Sequence, residues 1–158
     1  MVKIYLAGSC APEQRNLMVA IAKYLRSFKN IGVYCPFELE VPNAWDISQE
    51  EWSEKVFLAD KDAIDNCDVF LMVSQGRISS AGTNWEQGYA YGIGKYIGVI
   101  QITDTPTSLM TYSSADCFCN VKTDGFDINE IAVAIEKIML CYDKPWVQGK
   151  DKCLTVLT

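Results

Sequence analysis

The sequence of 158 residues predicts a single doubly wound α/β domain. Three observations lead there. Short apolar runs, such as residues 69–73 and 96–102, alternate with stretches of helical periodicity, the pattern of a parallel sheet covered on both faces. The length lies within the range of one compact domain, and a composition 49% hydrophobic and 22% charged can bury a core without staples. No internal repeat, low-complexity run or linker divides residues 1–158.

Each element follows from a local pattern. Residues 2–7 alternate as a strand does and stop at Gly8-Ser9, after which Pro12 opens a helix with Leu17, Ala20, Ile21, Tyr24 and Leu25 on one stripe. A short second strand, residues 31–35, ends at Pro36 and gives way to a loop over 38–45 that has no period and is long enough to be functional. Ser48-Gln49-Glu50-Glu51 reads as a helix start capped by Ser48, with Trp52, Val56, Ala59, Ala63 and Ile64 as its apolar face. Asp68 introduces the third strand, 69–73. A polar turn over 74–81 leads into a helix from about Thr83 to Gly94, and the strand 96–102 follows. The tail adds a strand near 117–121 and a helix near 128–142. Five parallel strands in the order 2-1-3-4-5 place a ligand crevice beyond the carboxyl ends of the first and third, where the order reverses. Its walls are residues 7–13 and 74–83, with the 38–45 loop above.

Composition narrows the function. A net charge of -6 with no Lys/Arg cluster argues against nucleic acid as a partner. No apolar stretch approaches the roughly 18 residues of a membrane span, and the start, Lys3-Ile4-Tyr5-Leu6, lacks the basic and apolar regions of a secretion signal. The seven cysteines, odd in number and scattered over apolar segments, read as buried thiols of a cytoplasmic protein. With no histidine and no Cys-x-x-Cys pair, a zinc site or His-based triad lacks its groups. Chemistry must then run on carboxylates, hydroxyls or thiols, and no metal or cofactor is expected.

Residues 79–90, Ser-Ser-Ala-Gly-Thr-Asn-Trp-Glu-Gln-Gly-Tyr-Ala, are the most informative. Gly82 permits a tight turn or close ligand approach. Glu86, placed in the first turn of the helix, lies where backbone N–H groups and the helix dipole favour an ionised carboxylate by roughly 0.3–1 kcal/mol. Such a group can attack an electrophilic carbon. The spacing Thr83-x-x-Glu86 equally matches a capping box, in which the glutamate only returns to the cap N–H. Both readings stand. Tyr5, near the end of the first strand, either orients a carboxylate in the crevice or packs there with its hydroxyl in water. Asp60 and Asp68 are candidates that can equally be solvated helix-face and strand-start residues. Glu38 and Glu40 either face a ligand or keep their loop wet. The pairs Ser79-Ser80 and Ser113-Ser114 form turns, or converge with helix N–H groups on a phosphate.

The strings Lys3-Ile4-Tyr5-Leu6-Ala7-Gly8, Asn66-Cys67-Asp68-Val69 and Ala81-Gly82-Thr83-Asn84-Trp85-Glu86-Gln87-Gly88-Tyr89-Ala90, with Glu51-Trp52, Asp60 and Leu109-Met110, resemble the nucleoside 2-deoxyribosyltransferase family over most of the chain. The resemblance implies a flavodoxin-like fold, a homo-oligomer, and transfer of a 2-deoxyribosyl group between nucleobases through a covalent Glu86–sugar intermediate with retention. It makes Glu86 the nucleophile at C1′, Tyr5 its hydrogen-bond partner, and Asp60 the carboxylate that contacts and protonates the leaving base. Gly8, Ser9, Gly82 and Met110 are expected to bind substrate, a nucleoside or nucleotide and a free base.

Departures from the family pattern bear on substrate. Ser80 stands where the family commonly has an aspartate gripping the 5′-hydroxyl. A carboxylate would repel a 5′-phosphate, whereas a serine at a helix start can donate to one, and related nucleoside 5′-monophosphate N-glycosidases look similar here. Cys117 stands near the family's asparagine, supplied by a neighbouring subunit, and Glu40 about where a glutamine often reads the base. Three functions stay open: transferase, hydrolase of nucleoside 5′-monophosphates, and a nucleotide-binding module in which Glu86 only caps its helix.

Overall fold

The strands β1 (Val2–Ala7), β2 (Ile31–Tyr34), β3 (Val69–Ser74), β4 (Tyr96–Gln101), β5 (Cys117–Val121) and β6 (Cys153–Leu157) form one parallel sheet in the order β2-β1-β3-β4-β5-β6. The computed structural model describes residues 1–121 and 127–143 and the backbone of β6. The 2-1-3-4-5 order is as the sequence predicts. The sixth strand is an addition, a β-prone run of five residues that extends the sheet from Cys117 opposite Cys153 to Val121 opposite Leu157.

Helices cover both faces: α1 (Arg15–Arg26), α2 (Gln49–Asn66), α3 (Ala81–Gly92), α4 (Leu109–Ser114) and α5 (Ile128–Asp143). Alternation along the strands sends Ile4, Leu6, Leu71 and Ile100 toward Ile21 and Leu25 of α1 and Ile131 and Ile135 of α5. The intervening residues Tyr5, Phe70, Met72 and Val99 pack toward Ile64 of α2 and Ala90 of α3. All six residues of β3 are buried, as a central parallel strand requires.

Serine hydroxyls fix three helix starts. Ser48, Ser80 and Ser108 accept from the backbone N–H of Glu51, Thr83 and Thr111 at 3.1, 3.2 and 3.1 Å. The first is as predicted. The second moves the start of α3 two residues upstream of Thr83, and the third makes Ser113 and Ser114 part of a helix rather than a turn. Helix α1 also begins later than Pro12, after a 3-10 turn over Pro12–Gln14. The predicted apolar face of α2 is only partly covered: Ile64 is its one buried residue, Val56, Ala59 and Ala63 are half-buried, and Trp52 is 39% exposed. Nor are all the thiols buried. Cys35, Cys67, Cys117 and Cys119 are, but Cys10 sits exposed in the β1–α1 turn and Cys141 is half-buried. Among the described residues no helix is long and apolar enough to cross a membrane.

Candidate active site

Register builds the site. In the parallel ladder Tyr5 of β1 stands opposite Tyr34 of β2 and Phe70 of β3, so three aromatic side chains lie side by side on one face. The rings stack, Tyr34 on Tyr5 at 5.4 Å and 18°, and Tyr5 on Phe70 at 5.4 Å and 8°. Each tyrosine ends on a carboxylate. The Tyr5 hydroxyl donates to Oε1 of Glu86 on α3 at 2.9 Å, and the Tyr34 hydroxyl donates to Oδ1 of Asp60 on α2 at 2.8 Å.

The start of α3 is tied to the end of β1. The Thr83 hydroxyl donates to the Gly8 carbonyl at 3.1 Å, which leaves the 2.7 Å contact between Ser80 and Thr83 for the Ser80 proton. The end of the Met18 side chain of α1 packs against Gly8, so that a Cβ there would lie 2.5 Å from Cε of Met18 and displace it.

Burial dominates the electrostatics. It pushes Glu86 from the ordinary 4.5 up to about 7, with the charge of Asp60 adding to the rise and the Tyr5 hydrogen bond opposing it. Two expectations change here. Ser80, not Thr83, caps α3, so Glu86 is its sixth residue, in the second turn, away from the free N–H groups and bonded to Tyr5 instead of its own backbone. A buried carboxylate beside another charge is accordingly harder to ionise, not easier. Burial also raises Asp60, against the pull of its bond from Tyr34. Both phenols are held well above their usual value, by burial first and then by the carboxylates they touch, so they remain donors. Cys10 borders the same group: burial, then the charges of Glu86 and Asp60, push its thiol up.

The other predicted residues are spread out. Ser9 accepts from Ala11 N–H at 3.2 Å in the β1–α1 turn, and Gly82 opens to space with nothing within 4 Å of a Cβ position. Met110 is 80% exposed and lines, with Asn84, Gln87 and Gly88, a cleft of about 480 Å³ between α3 and α4. Cys117 is fully buried in β5 among the side chains packed under α5. Glu40 is exposed, Glu38 accepts from Arg26 at 2.8 Å, and Asp68 accepts from the Lys3 backbone at 2.8 Å as part of the sheet. Tyr34 and Cys10 were not among the site candidates read from sequence, and Thr83 was read only as a helix cap. The signal for Tyr34 is its register opposite Tyr5. Among the described residues no three His, Cys, Asp or Glu side chains gather as metal ligands would.

Two carboxylates, each held by a tyrosine, thus meet at the switch point of a parallel α/β sheet, the place where such sheets take small ligands. The family model described as nucleoside 2-deoxyribosyltransferase matches residues 4–129, and the chain belongs to that family. A solved 2-deoxyribosyltransferase from the psychrotolerant bacterium Bacillus psychrosaccharolyticus is 26% identical, with a TM-score of 0.67 over 84% of this chain and 96% of that one. The CMP N-glycosidase of Clostridium botulinum, 18% identical, shares the fold at a TM-score of 0.57 over 85% and 98% of the two chains. A conserved protein from Enterococcus faecalis V583, 19% identical, does so at 0.56 over 86% and 87%. No curated protein matches the sequence.

Proposed function

We propose that the protein cleaves the N-glycosidic bond of a 2′-deoxynucleoside and transfers the sugar to another nucleobase through a covalent bond to Glu86. The observation that carries this reading is the 2.9 Å hydrogen bond from Tyr5 to Oε1, with Asp60 close enough to raise the Glu86 pKa. Oε1 is held by the phenol, leaving Oε2 for C1′. The base departs with the C1′–N electron pair and takes a proton from Asp60, while Oε2 closes on the oxocarbenium-like carbon. A second base then displaces Glu86 from C1′, and two inversions give retention. Family membership and the 26% identical 2-deoxyribosyltransferase support the transfer.

A homo-oligomer completes this reading. Tyr91 is 62%, Leu109 83% and Met110 80% exposed on the outer side of α3 and α4, where Gly88 and Gly92 also open to space. That face offers apolar surface to a second copy of the chain.

Ser80 motivates a second reading, hydrolysis of nucleoside 5′-monophosphates. It caps α3 without adding negative charge, and the fold neighbours include a CMP N-glycosidase. One experiment separates the two. The protein is incubated with a deoxynucleoside plus a different free base and, in parallel, with the corresponding 5′-monophosphate. Base exchange on the deoxynucleoside supports transfer; faster hydrolysis of the monophosphate supports the second reading; inertness toward both rejects each.

A further inference from the structure

Asp60 has two oxygens and they are not equivalent. Oδ1 accepts the Tyr34 hydroxyl at 2.8 Å, in the same way that Oε1 of Glu86 accepts Tyr5. The two phenols are neighbours in the ladder and their rings stack at 5.4 Å, so the oxygen each one holds is set by the sheet. Tyr34 ends β2 at the edge of the sheet, half-buried, yet its phenol crosses to α2 and grips a half-buried acid.

We propose that Tyr34 is a positioning residue that occupies Oδ1 of Asp60, so that the proton delivered to the leaving base resides on Oδ2. This rests on the transfer reading above. In the step concerned the Asp60 Oδ2–H bond breaks and a base N–H or O–H bond forms. The C1′–N pair leaves with the base, and the proton on Asp60 is thereby replaced by a negative charge that the Tyr34 hydroxyl stabilises. The groups facing Asp60 are Tyr34 from β2, Tyr5 from β1, Glu86 from α3 and Cys10 from the β1–α1 turn. Of these, Tyr34 is the one hydrogen-bonded to it.

The test is a double-mutant cycle with Tyr34→Phe and Asp60→Asn on whichever deoxynucleoside the wild type turns over fastest. Tyr34→Phe keeps the ring stack and removes one oxygen; equal melting temperatures confirm that the fold is retained. Alone it lowers kcat about tenfold with KM little changed, a part of the factor a general acid supplies. It also moves the basic limb of the kcat profile to higher pH, because a carboxylate deprived of its donor holds its proton more tightly. In the Asp60→Asn background the same change has no further effect, since the group it acts through is gone. Additive losses in the two backgrounds, or an unchanged kcat and pH profile for Tyr34→Phe, would overturn the proposal. A wild type inert toward every nucleoside would instead overturn the function itself, and this role with it.

Discussion

Replacing Tyr5 by phenylalanine removes one hydroxyl from a stack that otherwise keeps its shape, so the change reports on Glu86 directly. A hydrogen bond to a charged group contributes about 1.5–3 kcal/mol, which corresponds to about 1–2 pH units at about 1.36 kcal/mol each. Tyr5 opposes the burial that brings Glu86 to about 7, and without it the carboxylate rises to about 8–9. At pH 7 the ionised fraction then falls from about one half to between about 9% and 1%, a loss of about 5- to 50-fold in kcat/KM. The assay is base exchange measured from pH 5 to 10. The acidic limb of the wild type lies near 7 and that of Tyr5→Phe one to two units higher, while the basic limb, set by the Asp60 proton, stays in place. Equal loss at every pH, or an unmoved acidic limb, would refute the claim that Tyr5 acts through the ionisation of Glu86.

Glu86→Gln loses at least about a thousandfold in kcat, as expected for a nucleophile, yet gains stability in alkaline solution. The folded state holds the Glu86 proton up to about pH 7 against 4.5 in the unfolded chain, so its contribution is full below 4.5 and about 3 kcal/mol is lost as pH rises through 7. Glutamine escapes that loss: melting curves favour the variant at pH 8 and coincide near pH 4.5. Gly98→Ala destabilises by about 1–3 kcal/mol with kcat unchanged. Its Cβ would meet Cγ2 of Ile138 at 2.5 Å, beneath α5 and away from the carboxylates, and chemical denaturation alongside steady-state kinetics checks both halves. Ser80→Asp, by bringing negative charge to the start of α3, lowers kcat/KM for a 5′-monophosphate at least about tenfold relative to its deoxynucleoside if position 80 faces the 5′ oxygen. An unmoved ratio places the 5′ group elsewhere.

Much of the architecture was legible because it is local. A serine three residues before Glu51 starts α2 as its spacing says, and apolar runs at 69–73 and 96–102 become central strands. The same local rule misplaced α3, since Thr83 has a glutamate three residues on and Ser80, the residue that caps the helix, does not. What decides between them is long-range: Thr83 turns its hydroxyl to Gly8, 75 residues away in sequence, and leaves the cap to Ser80. Tyr34 was invisible for a related reason. Nothing in Ile31-Gly32-Val33-Tyr34 distinguishes it until the register sets it against Tyr5. The ionisation of Glu86 required the fold as well, because helix position alone argues for a low pKa and only burial between Tyr5 and Asp60 reverses the sign. The exposed side of α3 and α4 shows the limit of reading one chain: Leu109 and Met110, placed in sequence by resemblance alone, lie open on α4.

Transfer of the sugar turns on a bond between Glu86 and the anomeric carbon. Acid-quenched protein, mixed for milliseconds with a deoxynucleoside and no acceptor base, can be digested and mapped by mass spectrometry. The peptide containing Glu86 is expected to carry the mass of one deoxyribosyl group, and to lose it when acceptor base is added before the quench. A sugar found on another residue, or full turnover by Glu86→Gln with no adduct at all, would contradict it.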